Sequence, residues 1–119
     1  MAELRKYAGA CHCGEVRYEV TSDLKQVTMC NCSICSKRGL LLTFVAPEQF
    51  TLLSGEDVLS DYQFNKKHVH HLFCPACGVE SFAKGTAPDG RTMYAVNVRC
   101  LDGVDLSTLT LSPFDGKSL

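Results

Sequence analysis

Eight cysteines in 119 residues constrain this chain more than any other feature. They stand at Cys11, Cys13, Cys30, Cys32, Cys35, Cys74, Cys77 and Cys100. At this density cysteines form disulfides or hold metal. Seven of the eight fall into three tight clusters, C-x-C, C-x-C-x-x-C and C-x-x-C. A bridge between cysteines two or three apart is strained, because a disulfide needs particular Cα separations and torsions. Two thiolates on one turn converge on an ion without that strain. The chain opens Met1-Ala2-Glu3-Leu4-Arg5-Lys6, with no apolar stretch of the secretory kind. That predicts a cytoplasmic, reducing setting, which disfavours disulfides. Zinc is the expected metal, since it takes tetrahedral sulfur ligands without redox chemistry. An iron–sulfur cluster also accepts cysteine and stays open at this point.

Seven clustered thiols do not divide by four. One closed site of four and one of three use them all, giving two zinc ions per chain. A zinc with three protein ligands keeps a position for water or substrate, which is the mark of a catalytic site. Cys11, Cys13, Cys74 and Cys77 make the natural closed set, each pair supplying half a tetrahedron from a turn. Gly14 and Gly78 follow the second ligand of each pair, where φ > 0 is needed, and Pro75 stiffens the second turn. Zinc in such a site contributes about 10–16 kcal/mol in apparent terms. The alternative is four buried free cysteines. Cys30, Cys32 and Cys35 then form the second, open set. Its alternative is closure by a fourth ligand, from Cys100, His68, His70 or His71.

The remaining composition fits one soluble domain spanning residues 1–119. Apolar residues make up 45% and charged residues 21%. The longest apolar run, Leu40 to Ala46, is strand-sized and far short of the roughly 20 residues that cross a bilayer. Twelve basic against thirteen acidic residues leave a net charge of −1, so no basic field points to nucleic acid or an anionic membrane. Strand patterns dominate: Val16–Val20, Leu40–Val45, Gln49–Leu53, Asp61–Phe64 and Thr92–Arg99, the last with Tyr94, Val96 and Val98 on one face. Turn signals separate them at Ser54-Gly55-Glu56-Asp57, Pro88-Asp89-Gly90 and Asp102-Gly103. Short helical turns are expected after Cys32 and from Asp105 to Leu109. The expectation is a mainly β, zinc-stapled domain.

Gly9-Ala10-Cys11-His12-Cys13-Gly14, Cys30-Asn31-Cys32-Ser33-Ile34-Cys35 and Phe73-Cys74-Pro75-Ala76-Cys77-Gly78 together resemble the glutathione-dependent formaldehyde-activating enzyme family, which also includes centromere protein V. Asn97-Val98-Arg99-Cys100-Leu101 and Phe114-Asp115-Gly116 are similar to its C-terminal signatures. The resemblance runs from about residue 7 to 116. It implies the complex-β fold found also in methionine-R-sulfoxide reductases. It implies a structural zinc on Cys11, Cys13, Cys74 and Cys77, and a catalytic zinc on Cys30, Cys32 and Cys35. It implies a carbon–sulfur lyase that condenses glutathione with formaldehyde to S-hydroxymethylglutathione.

Several neighbours of these clusters carry chemistry of their own. Lys37 and Arg38 follow the three-cysteine cluster and are candidates to offset its charge or to grip a carboxylate; the plain alternative is a solvated turn. His12, between two ligands, is expected to point outward. His70 and His71 fall on opposite faces of a strand, so one of the histidines is a candidate proton shuttle for the open site. Cys100 is a candidate ligand, resolving thiol or small core residue. Two rival functions remain: a zinc-stapled interaction module without catalysis, and a thiol redox enzyme using Cys100.

Overall fold

A computed structural model describes residues 4–30, 33–63, 69–86 and 89–114. Within them, ten strands and one short helix follow one another: β1 (Arg5–Ala10), β2 (Arg17–Ser22), β3 (Val27–Cys30), α1 (Ser33–Arg38), β4 (Leu42–Val45), β5 (Phe50–Ser54), β6 (Ser60–Tyr62), β7 (Val69–Phe73), β8 (Phe82–Thr86), β9 (Thr92–Asn97) and β10 (Leu111–Phe114). The mainly β expectation is met. Asn31, Cys32, Phe64, His68, Pro88, Asp115 and Gly116, named in the sequence reading, lie outside the described residues.

The strands form two sheets. The smaller has the order β1-β2-β5; the larger runs β10-β3-β4-β9-β8-β7-β6. All pairings are antiparallel except β10 with β3, which is parallel and sets Phe114 opposite Cys30. One apolar core takes residues from both sheets: Tyr18 and Val20 from β2, Phe50 from β5, Phe82 from β8 and Val96 from β9. The alternation in Arg17–Ser22 explains its placement, since Tyr18, Val20 and Ser22 are buried while their neighbours reach outward. Tyr18 stacks on Phe50 at 5.3 Å and meets Phe82 edge-on at 5.7 Å, and Phe50 stacks on Tyr94 at 4.4 Å. Such pairs add about 0.5–1.5 kcal/mol each beyond simple burial.

Most strand boundaries shift from the sequence reading, for local reasons. The expected strand Thr92–Arg99 ends at Asn97. There the Asn97 side chain accepts a hydrogen bond from the Arg99 amide at 3.2 Å and turns Val98–Cys100 into a 3₁₀ turn. Gln49 ends another such turn, Pro47–Gln49, so β5 begins one residue later than expected. The expected helical turns are present as α1 and as Leu106–Thr108, which is capped by Asp105.

Candidate metal centre

Two turns from different sheets meet at the first cysteine group. Cys11 follows β1, in the small sheet, and Cys74 follows β7, in the large one. The turns are built alike. In each, the first cysteine's amide donates to the carbonyl five residues on, Cys11 to Val16 at 3.0 Å and Cys74 to Val79 at 3.1 Å. In each, the glycine after the second cysteine donates back to the first cysteine's carbonyl, from Gly14 and Gly78. Both glycines have positive φ, +84° and +79°, a conformation that L side chains rarely adopt. The turns thereby aim four sulfurs at one point, and all four lie within 4.8 Å of one another. Cys13 Sγ sits 3.6 Å from both Cys11 Sγ and Cys74 Sγ. A tetrahedron with metal–sulfur bonds of about 2.3 Å has edges of about 3.8 Å. The donor set and its spacing therefore fit one tetrahedral, thiophilic ion. The Val16 amide also donates to Cys11 Sγ at 3.4 Å, the kind of outer contact that steadies a thiolate.

As bare thiols, Cys11, Cys13 and Cys77 hold their protons unequally. Cys77 is drawn down to about 6: burial opposes this, but the amides of Cys13 and Val79 and the Cys11 and Cys74 thiols outweigh it. Cys13 is pushed up to about 12, because desolvation and the three neighbouring sulfurs outweigh the Glu15 amide that favours its thiolate. Cys11 is lowered against its burial by the Val16 amide and the Cys13 thiol.

The second cysteine group sits elsewhere. Cys30 ends β3, and Cys35 lies on α1, buried in a small second core with Leu40, Leu42, Ala83 and Ala95; Cys30 and Ile34 pack against it. Cys30 and Cys35 also line one cleft of about 490 Å³, with Met29, Leu40, Phe114 and Arg99. None of the four metal-centre cysteines lines this cleft. Among the described residues, only the four-sulfur group gathers three or more candidate ligands.

A buried ion network holds the helix that carries Cys35. Glu80 is only 4% exposed. One of its carboxylate oxygens takes the Arg38 guanidinium, and the other meets His71 Nδ1 at 2.9 Å. The Arg38 guanidinium also lies over the Phe73 ring, 5.2 Å from its centre. Asn97 Nδ2 donates to the Glu80 carbonyl at 3.1 Å. Arg38 is thus half-buried, with 27% of its side chain exposed, and already engaged by Glu80. Lys37 is exposed. His71 is buried and pairs with Ala83 across the sheet, on the face that Cys35 packs against, whereas His70 points away to Asp61 at 2.7 Å. His12 is exposed, as expected.

Cys100 is half-buried in its 3₁₀ turn, with Asn97 Nδ2 3.7 Å from its sulfur. Burial pushes its thiol up, and the Cys11 and Cys77 sulfurs add to the effect. It lines neither the cleft nor the four-sulfur group. Sequence reading missed Glu80 and the place of Arg99 at the cleft. Glu80 follows the second cysteine turn by two residues, but its partners come from α1 and β7, so no local spacing announces it. Arg99 carried a signal, its place in Asn97-Val98-Arg99-Cys100.

No helix among the described residues is long and apolar enough to cross a membrane. The sequence pattern of a family described as glutathione-dependent formaldehyde-activating enzyme matches residues 6–113. The fold is similar to the crystal structure of a Rhodobacter sphaeroides protein, with a TM-score of 0.76 and 29% identity, covering 91% of this chain and all of that one.

Proposed function

This chain belongs to the glutathione-dependent formaldehyde-activating enzyme family, and on that premise we propose that it is a zinc-dependent carbon–sulfur lyase adding glutathione, or a thiol like it, to formaldehyde or another small aldehyde. Cys11, Cys13, Cys74 and Cys77 would hold a structural zinc; Cys30, Cys32 and Cys35 would hold the catalytic one. The domain is read as one unit over residues 1–119, with its core from about 7 to 116, in the reducing cytoplasm that thiolate ligands favour. The observation that carries the reading is the cleft, where Cys30 and Cys35 stand beside a space large enough for a small thiol and apart from the four-sulfur group.

Zinc bound there would supply a fourth position at which a thiol loses its proton near neutral pH. The rest falls to the chain. β3 and α1 bring Cys30 and Cys35 to one wall. Met29, Leu40 and Phe114 give the cleft apolar walls that thin out water around the reactants. Holding thiol and aldehyde together removes much of the entropic cost of their meeting. In the addition, a C–S bond forms, the carbonyl oxygen takes the proton the thiol gives up, and no electrons are exchanged with an outside reagent.

Native mass spectrometry of the reduced protein, with and without glutathione, tests this directly. Two zinc ions and one retained glutathione are expected. Cys35→Ser should keep one zinc, lose the glutathione and abolish its condensation with formaldehyde followed by NMR. A wild-type protein with one zinc, or with two and no thiol adduct, would turn the reading toward a stapled interaction module.

A further inference from the structure

We propose that Arg99 is the anion anchor of the Cys30–Cys35 cleft: it binds a carboxylate carried by the thiol, so that the site selects acidic thiols over neutral ones. The inference rests on the thiol-site reading above and adds its selectivity. Among the described residues lining the cleft, Arg99 is the one basic side chain; the others are apolar, small or sulfur-bearing, and no carboxylate is among them. Nor does Arg99 have an acidic partner elsewhere among the described residues. Its side chain is exposed, yet its guanidinium is tethered. Nε donates to the Gly39 carbonyl at 3.0 Å, and Gly39 also lines the cleft. That bond uses one of five N–H donors and sets the plane of the group. The two terminal nitrogens remain, in the fork that matches a carboxylate's two oxygens.

The backbone beneath is equally settled. The Arg99 amide donates to Asn97 Oδ1, and the Val98 amide donates to the Leu41 carbonyl at 2.8 Å, with Val98 fully buried. An arginine held at both ends of its side chain loses less freedom when it takes a ligand than a loose one does. The two cations nearer in sequence to the cluster are not alternatives. Arg38 is engaged by Glu80, and Lys37 does not line the cleft.

The test compares glutathione with glutathione diethyl ester, which keeps the thiol and the backbone but masks both carboxylates. Their dissociation constants would be measured by calorimetry on the zinc-loaded wild type, Arg99→Met and Arg99→Lys. Arg99→Met is expected to weaken glutathione about tenfold to a hundredfold, the worth of a charge-assisted hydrogen-bonded pair, while ester affinity changes less than about twofold. Arg99→Lys should recover part of the loss, because it keeps the charge without the fork. Zinc content and melting temperature serve as controls for folding. Equal weakening of both ligands would show a merely structural arginine, and no weakening of glutathione would show an idle one; either overturns the inference while the thiol site stands. Binding of neither ligand by the wild type would sink the thiol site and the anchor together.

Discussion

Glu80 shows most clearly how single residues divide the work here. A carboxylate this deeply buried is costly unless it is paired, and a buried pair is often no more stabilising than apolar residues of the same volume. Its value lies in orientation: it joins α1, through Arg38, to β7, through His71. Glu80→Ala leaves both partners facing an empty site and is expected to cost about 3–5 kcal/mol. Glu80→Gln keeps the volume and one acceptor, so it should cost clearly less. Urea titrations of both variants check this through the midpoint at unchanged slope. Equal and small losses would show that the network holds nothing in place. The cysteine turns, by contrast, were legible residue by residue. C-x-C-G and C-x-x-C-G state both the ligand and the backbone conformation that aims it. The Glu80 network was not legible, because its three members lie 9 and 42 residues apart and meet only after folding.

Among the elements, α1 and the β1–β2 pair depend most on what surrounds them. A helix of six residues does not persist in water by itself. Here Cys35 and Leu40 bury its inner side, and Arg38 ties its end. The β1–β2 pair depends on a missing side chain. Gly9 lies opposite Tyr18, and a Cβ on Gly9 would fall 2.4 Å from the Tyr18 ring. That ring has no room to retreat, since Phe50 and Phe82 pack against it and its hydroxyl donates to the Ser81 carbonyl at 3.4 Å. Gly9→Ala should therefore destabilise by about 1–3 kcal/mol, as overpacked cores do. A thermal melt unchanged from wild type would show that the sheet can part at this point. Strands with strict alternation, such as β2, could be read from sequence. β1 could not: in Arg5-Lys6-Tyr7-Ala8-Gly9-Ala10 the inward side pairs half-buried Tyr7 with buried Gly9, and one aromatic beside a glycine leaves no hydrophobic period.

At the scale of the molecule, the four-sulfur group fastens one sheet to the other. Cys13 and Cys74 stand 61 residues apart in sequence. A metal there would close most of the first two thirds of the chain into one loop, at an apparent contribution of about 10–16 kcal/mol. The net stability of a typical domain is about 5–15 kcal/mol. Stripping the metal with a strong zinc chelator under reducing conditions should thus unfold the domain or leave it marginal, with zinc restoring it. Far-UV circular dichroism would follow both steps, and full retention of the spectrum and of the melting temperature would count against a structural metal. The mainly β architecture could be read from the strand patterns. The strand order could not, because alternation tells which face is buried but not which strand lies alongside.

Crowded copies of a β protein meet at their sheet edges, and β10 is such an edge, paired among the described residues to β3 alone, with all four of its residues exposed. Leu111 and Phe114 would make it an adhesive one. Pro113 has no N–H to give, so β10 carries one donor fewer than its length would offer. The same proline that lines the cleft thus takes one donor from the strand at which such growth would begin.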